Sequence, residues 1–139
     1  MRKLALAWLV PLGSVIAACA EPPHAVPPKA PNNEIIVGAY ERHPPDGTTA
    51  IRFRGDGSLR VAKTKAELDT DPPFASGTWK IDDGKLTLVY DTGACTENEA
   101  DKTGVYNVVI SKRGLHLTKV SDSCDQRGKL DGETLWRAN

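Results

Sequence analysis

Beyond residue 34 the chain is a succession of short runs in which apolar and polar side chains alternate, separated by glycine- and aspartate-rich turns. The clearest unit runs from Gly77 to Tyr90. Trp79 and Ile81 alternate with Lys80 and Asp82, Asp83-Gly84 supplies a turn, and Leu86, Leu88 and Tyr90 resume the alternation. Period-two alternation across an Asp-Gly turn predicts a β-hairpin with one wet face. The same pattern returns from Gly104-Val105-Tyr106 through Arg113-Gly114 to Leu117, and more loosely from Gly38-Ala39-Tyr40 into a hairpin around Asp56-Gly57. Eight strands are predicted, near 35–40, 48–54, 58–63, 76–81, 85–90, 104–111, 115–120 and 133–137, and no run carries the 3.6 period of a helix.

Successive side chains of a strand point to opposite faces, so the alternation also predicts what faces inward. Ile51 and Phe53 should oppose Leu59 and Val61. Trp79 and Ile81 should oppose Leu86 and Leu88, and Tyr106, Val108 and Ile110 should lie against Leu115 and Leu117. Arg52, Arg54, Arg60, Lys80 and Lys112 fall on the other face. A sheet apolar on one face only argues against a parallel α/β sheet, which is covered on both. Short strands joined in sequence order leave two edges to hide, and closure into an antiparallel up-and-down barrel hides both. The expected fold class is therefore all-β, a small eight-stranded barrel. Eight strands enclose an interior just wide enough to be filled by side chains or to hold one small ligand.

The leader changes the picture of where this barrel works. Residues 1–18 open with Arg2-Lys3, continue through an apolar run of about fifteen residues, too short to span a bilayer as a helix, and end in small residues, the layout of a cleaved export signal. Ile16-Ala17-Ala18-Cys19 resembles the lipobox of bacterial lipoproteins. That resemblance implies cleavage before Cys19, a diacylglyceryl thioether and an N-acyl chain on it, and, with Ala20 rather than aspartate next, sorting to the outer membrane of a Gram-negative cell. Several acyl chains hold a protein firmly where one does not. Residues 19–33, rich in proline, cannot make helix or ladder and should form a semi-extended tether, leaving residues 34–139 as the barrel domain. The 18 basic and 18 acidic side chains balance, so no field of one sign favours nucleic acid as a partner.

With Cys19 consumed by acylation and the chain exported, Cys95 and Cys124 form an even pair in an oxidising compartment and are expected to bond. Closing a loop of about thirty residues should stabilise by roughly 3 to 4 kcal/mol in the chain-entropy model. The bond would staple the acidic loop 91–101 to the segment 121–130, in which Asp122 could cap one helical turn. A second long loop, 64–73, is either a lid or a solvated connection.

The Gly-x-aromatic strand openings, the repeated hairpins and the terminal Leu135-Trp136-Arg137 together resemble the lipocalin-like, or calycin, barrels. The resemblance implies an aromatic near a strand start packed across the barrel floor against a late basic residue: Trp79 or Tyr40 against Arg137 or Arg127. The chain departs from that pattern in its shortness and in carrying Gly77-Thr78-Trp79 on the fourth strand rather than the first.

Catalysis would need a nucleophile, a base and an orienting group. His43 lies in a loop beside Pro44-Pro45, His116 points outward from a strand, and neither has a nucleophile motif nearby; Asp82-Asp83 is turn chemistry. Asp91, Glu97, Glu99 and Asp101 lack the glycine and spacing of a calcium loop. The sequence therefore offers no catalytic residue, metal site or cofactor. Two roles are expected. One is binding of a small apolar or amphipathic ligand, with Phe53, Trp79, Tyr90 and Tyr106 as wall candidates. The other is an interaction or inhibitor module, similar to small periplasmic inhibitors of lysozymes and proteases, working on an envelope protein through loops 41–48, 64–75 and 91–103. A void of about 300 Å³ or more would favour the first, and a filled interior the second.

Overall fold

A computed structural model describes residues 30–43 and 49–138. Cys19, the leader and most of the tether lie outside the described residues. The predicted closure is present: eight antiparallel strands pair each with the next, and the last with the first. They are β1 (Gly38–Arg42), β2 (Thr49–Phe53), β3 (Ser58–Ala62), β4 (Ala75–Asp82), β5 (Lys85–Gly93), β6 (Thr103–Ile110), β7 (Gly114–Ser121) and β8 (Thr134–Arg137). Two single-turn helices accompany them, α1 (Asn32–Ile35) before β1 and α2 (Asp125–Gly128) before β8. The run expected as a strand from residue 35 is therefore a helical turn first.

The registers follow the hydrophobic pattern, as they must when a one-residue slip would turn every apolar side chain outward. Ile51 opposes Val61 and Phe53 opposes Leu59. Trp79 opposes Leu88 and Ile81 opposes Leu86. Val108 opposes Leu117 and Ile110 opposes Leu115, while an irregularity at Val105/Tyr106 carries Tyr106 across from Lys119. Asp83 and Gly84 both take positive φ, 51° and 72°, the backbone of a type I′ hairpin turn.

Each end of the cylinder has its own stopper. At the floor, where the short turns between β2 and β3, β4 and β5, and β6 and β7 gather, Ile36 is fully buried after α1. Arg137 of β8 donates to the carbonyls of Ile35 (2.7 Å) and Val37 (3.1 Å) and stacks 4.9 Å above the Tyr40 ring. Of the pairings the barrel resemblance implied, Tyr40 with Arg137 is the one formed at the floor. Above it Tyr40, Phe53 and Trp79 stack edge to face with centroids 5.8 Å apart at each step, and the Trp79 indole donates to the Arg54 carbonyl at 3.0 Å. The described chain thus enters and leaves at the floor. The long connections gather at the opposite end, the mouth.

The alternation misleads at one place. Ala50 and Ala62 are buried although they point away from the barrel interior. Loop 63–74 folds back along the outer wall of β1–β3, and its Leu68, in a 3-10 turn over Ala66–Asp69, packs on these two alanines and on Ala39. Arg52 pairs with Asp69, and Arg60 with Asp71 (2.7 Å) and the Thr70 carbonyl (2.8 Å). Exposed pairs of this kind contribute about 0–1 kcal/mol each, whereas burying a leucine contributes about 1.5–3 kcal/mol, so Leu68 fixes the strap and the ion pairs aim it. Over Ala66–Asp69 the loop is a strap on the wall, and its last residue, Phe74, reaches the mouth.

The backbone closes most tightly at the irregularity in β4 between Ser76 and Gly77. A Cβ on Gly77 would be driven into the Val89 carbonyl and to 2.9 Å from the Tyr90 Cα, backbone atoms that cannot swing aside, whereas a Cβ on Gly55 meets nothing within 4 Å. Gly77→Ala should therefore cost about 2–3 kcal/mol, seen as a lowered midpoint in chemical denaturation. Gly55→Ala should leave the midpoint within about 0.5 kcal/mol of the parent.

Candidate binding site at the barrel mouth

The mouth is built around a buried charge. Arg127, on α2, is 2 % exposed. Its Nε and Nη2 donate to the two oxygens of Asp122 at 2.6 and 2.8 Å, Nη2 also to the Asp101 carbonyl at 2.7 Å, and Nη1 to the Lys102 carbonyl at 3.0 Å. The guanidinium lies 4.6 Å from the centroid of the Tyr90 ring. The Tyr106 hydroxyl donates to Asp122 and contacts the Arg127 carbonyl at 3.1 Å. Both side chains of the ion pair are wholly removed from solvent, which is tolerable only because nearly every donor is satisfied. Space for the pair exists because position 104 is glycine: a Cβ there would collide with Asp122 and come within 2.6 Å of Arg127 Nε.

Asp122 was expected as the cap of this helical turn. The structure places Cys124 at that position instead, its Sγ accepting from the Arg127 amide at 3.3 Å, while Asp122 accepts from the Cys124 amide at 2.9 Å and spends its remaining capacity on Arg127. A carboxylate that can hold both a backbone amide and a buried guanidinium does more there than at an exposed helix end. Cys124 is bonded to Cys95, Cα to Cα 5.8 Å across 29 residues. The disulfide thereby fixes the segment carrying α2 to the loop whose carbonyls hold the guanidinium.

Beneath this plug the four aromatic wall candidates are brought together but do not share one surface. Phe53, Trp79 and Tyr106 belong to the continuous apolar core that fills the cylinder. Of the four, Trp79 meets a separate hollow beside Thr78, Lys80, Thr87 and Val89, whereas Tyr90 is the one that borders a cavity of about 190 Å³ at the mouth. Ile51, Val61, Phe74 and Leu130 form its apolar wall, and Arg42, Arg127 and Lys129 its cationic side. Thr49 and Gln126 complete the rim. Arg42 continues the inward alternation of β1 after Tyr40, is 7 % exposed, and pairs with Glu133 at 3.5 Å. No protein-family model matches this chain, and no curated protein is similar to it. The reading of the mouth rests on its own geometry.

Other sequence-derived candidates are placed elsewhere. His116 sits on the outer wall with Nδ1 3.1 Å from the Thr134 hydroxyl, and His43 is exposed at the end of β1. In the acidic loop Asp101 accepts from Ser123 (2.6 Å) and Asn98 (3.1 Å), bonds that hold its carboxyl below the usual carboxylate range, and Glu99 pairs with Lys102 at 2.7 Å. No group of three or more potential metal ligands gathers among the described residues. The cavity itself was not visible beforehand, although the inward phase of Tyr40 extended two residues would have put Arg42 inside the barrel.

Burial first, and for Tyr106 the bond to Asp122 as well, pushes the hydroxyls of Tyr90 and Tyr106 well above the ordinary tyrosine range. Because the folded values are raised, this contribution is intact below pH about 10 and lost as pH rises beyond it, when the unfolded chain ionises and the folded one does not. Stability should fall above pH 10 by about 1.4 kcal/mol per pH unit for each withheld tyrosine, with tyrosinate absorbance appearing together with unfolding and not before it. Asp122→Asn, which strands the Arg127 charge, should cost about 3–5 kcal/mol in the same denaturation measurement at neutral pH.

Proposed function

We propose that this chain is an exported lipoprotein of the Gram-negative envelope, acylated at Cys19 and held on the periplasmic side of the outer membrane. On this reading it works as a non-catalytic binding protein of the lipocalin-like kind, taking a small amphipathic ligand at the barrel mouth and not along the barrel axis. The observation that carries the binding role is the cavity. It joins four aliphatic and aromatic side chains to a cationic rim, whereas the rest of the interior is occupied by its own aromatics. Apolar concave sites with a few placed polar groups are where small ligands bind. Its size, about 190 Å³, falls below the roughly 300 Å³ at which drug-sized pockets begin, so the ligand is a molecule of few heavy atoms.

The packed interior also supports a second reading, in which the barrel is a rigid stage and the mouth loops engage an envelope protein. The two part company on what is recovered with the protein. Purified from envelopes and analysed by mass spectrometry under native conditions, the full chain should carry a small molecule that is lost when Leu130→Trp fills the cavity. A protein partner crosslinked from Gln126 or Lys129, with no small molecule retained, would sink the ligand reading in favour of the second. The anchor has its own test: the intact mass should show an acylated N-terminal Cys19, and Cys19→Ser should leave the chain unacylated with its leader attached.

A further inference from the structure

The lining of the mouth cavity is one-sided in its chemistry. Three of its ten residues are cations, Arg42, Arg127 and Lys129, and among the described residues no carboxylate borders it. The acids that balance two of those cations stand behind them: Asp122 behind Arg127 and Glu133 beside Arg42. Lys129 is exposed at the rim. Tyr90 adds an independent observation. It is 3 % exposed and borders the cavity, and its hydroxyl keeps contact with solvent while forming no hydrogen bond to a described residue. A hydroxyl held in that way is free to donate to a ligand group that displaces water from the cavity.

We infer that the mouth cavity is a site for a carboxylate carried on a short apolar stem, the anion received by the Tyr90 hydroxyl and the Arg42 and Lys129 side chains, and the stem by Ile51, Val61, Phe74 and Leu130. This rests on the proposal that the mouth is the binding end and names the class of ligand it takes. A phenolic donor beside two cations selects an anion over an alcohol or an amine, since a bond from a neutral donor to an ionised acceptor is roughly twice as strong as one between neutral groups. The cavity volume limits the stem to a few carbons. The same group could arrive as a free small carboxylic acid or as an acidic side chain of a protein partner.

Calorimetric titration of the full chain in nonionic detergent with pentanoate, pentanol and pentylamine separates the possibilities. Pentanoate should bind at one site, pentanol at least tenfold more weakly, and pentylamine not at all. Tyr90→Phe, which keeps the ring and the packing, should weaken pentanoate roughly tenfold while leaving the thermal midpoint near that of the parent. Lys129→Gln should weaken it less and flatten its dependence on salt. A pentapeptide with one central glutamate that binds with the same Tyr90 dependence, where pentanoate does not, would keep the site and assign its carboxylate to a partner protein. Pentanol binding as well as pentanoate would overturn the anion site while leaving an apolar ligand at the mouth. A Tyr90→Phe variant with unchanged pentanoate affinity, or no binding by any of the four probes, would overturn the inference outright.

Discussion

The ion pair between Asp122 and Arg127 is the constraint from which the upper half of the barrel takes its form. Removing both charges from water costs several kcal/mol, recovered only through the full set of hydrogen bonds around them. That set draws in four separate pieces of chain: the end of β7, helix α2, the carbonyls of the loop before β6, and the hydroxyl of Tyr106. A hydrophobic pair of equal volume could fill the same space. It could not hold two loop carbonyls in place, and those carbonyls fix how the acidic loop meets the rim. The Cys95–Cys124 bond fastens the same two segments covalently, so α2 is held by a staple and by a charge network at once.

An arginine set against a tyrosine ring closes the cylinder at each end, Arg137 with Tyr40 at the floor and Arg127 with Tyr90 at the mouth. The two are not equivalent. Arg137 bonds the carbonyls of Ile35 and Val37, next to the stopper residue Ile36, and lies over the Tyr40 end of the aromatic stack. Arg127 is held by Asp122 over the Tyr90 ring, and a cavity remains between α2 and the strand walls. A barrel whose axis is filled by its own aromatics thus keeps its open space at the mouth, between the plug and the wall.

How much of this was legible in the sequence depends on whether a feature leaves a periodic trace. The hairpins did: alternation over β2–β7 set the registers of Ile51, Phe53, Trp79 and Val108, because inward packing is the one arrangement that buries them all. Leu68 did not, since a single leucine in a polar loop has no period, and alanines on an outward phase read as neutral until something covers them. Arg127 was visible only through the barrel resemblance, as one of two candidates for an aromatic partner. Its true partner set, a carboxylate five residues back and carbonyls more than twenty residues away, is set by tertiary placement and by the glycine at 104. Tyr90 was phased correctly as an inward residue. That its hydroxyl would meet solvent and no described protein acceptor follows from what does not reach it, and no local pattern records that.

Both described ends of the chain emerge on the side of α1 and the close of β8, away from the rim that carries Lys129 and Gln126. A tether attached upstream of Asn32 therefore holds the cylinder by its base. Were the chain anchored at Cys19 as proposed, the domain would be held from its sealed end, like a cup by its foot, with the opening at the far side from the attachment.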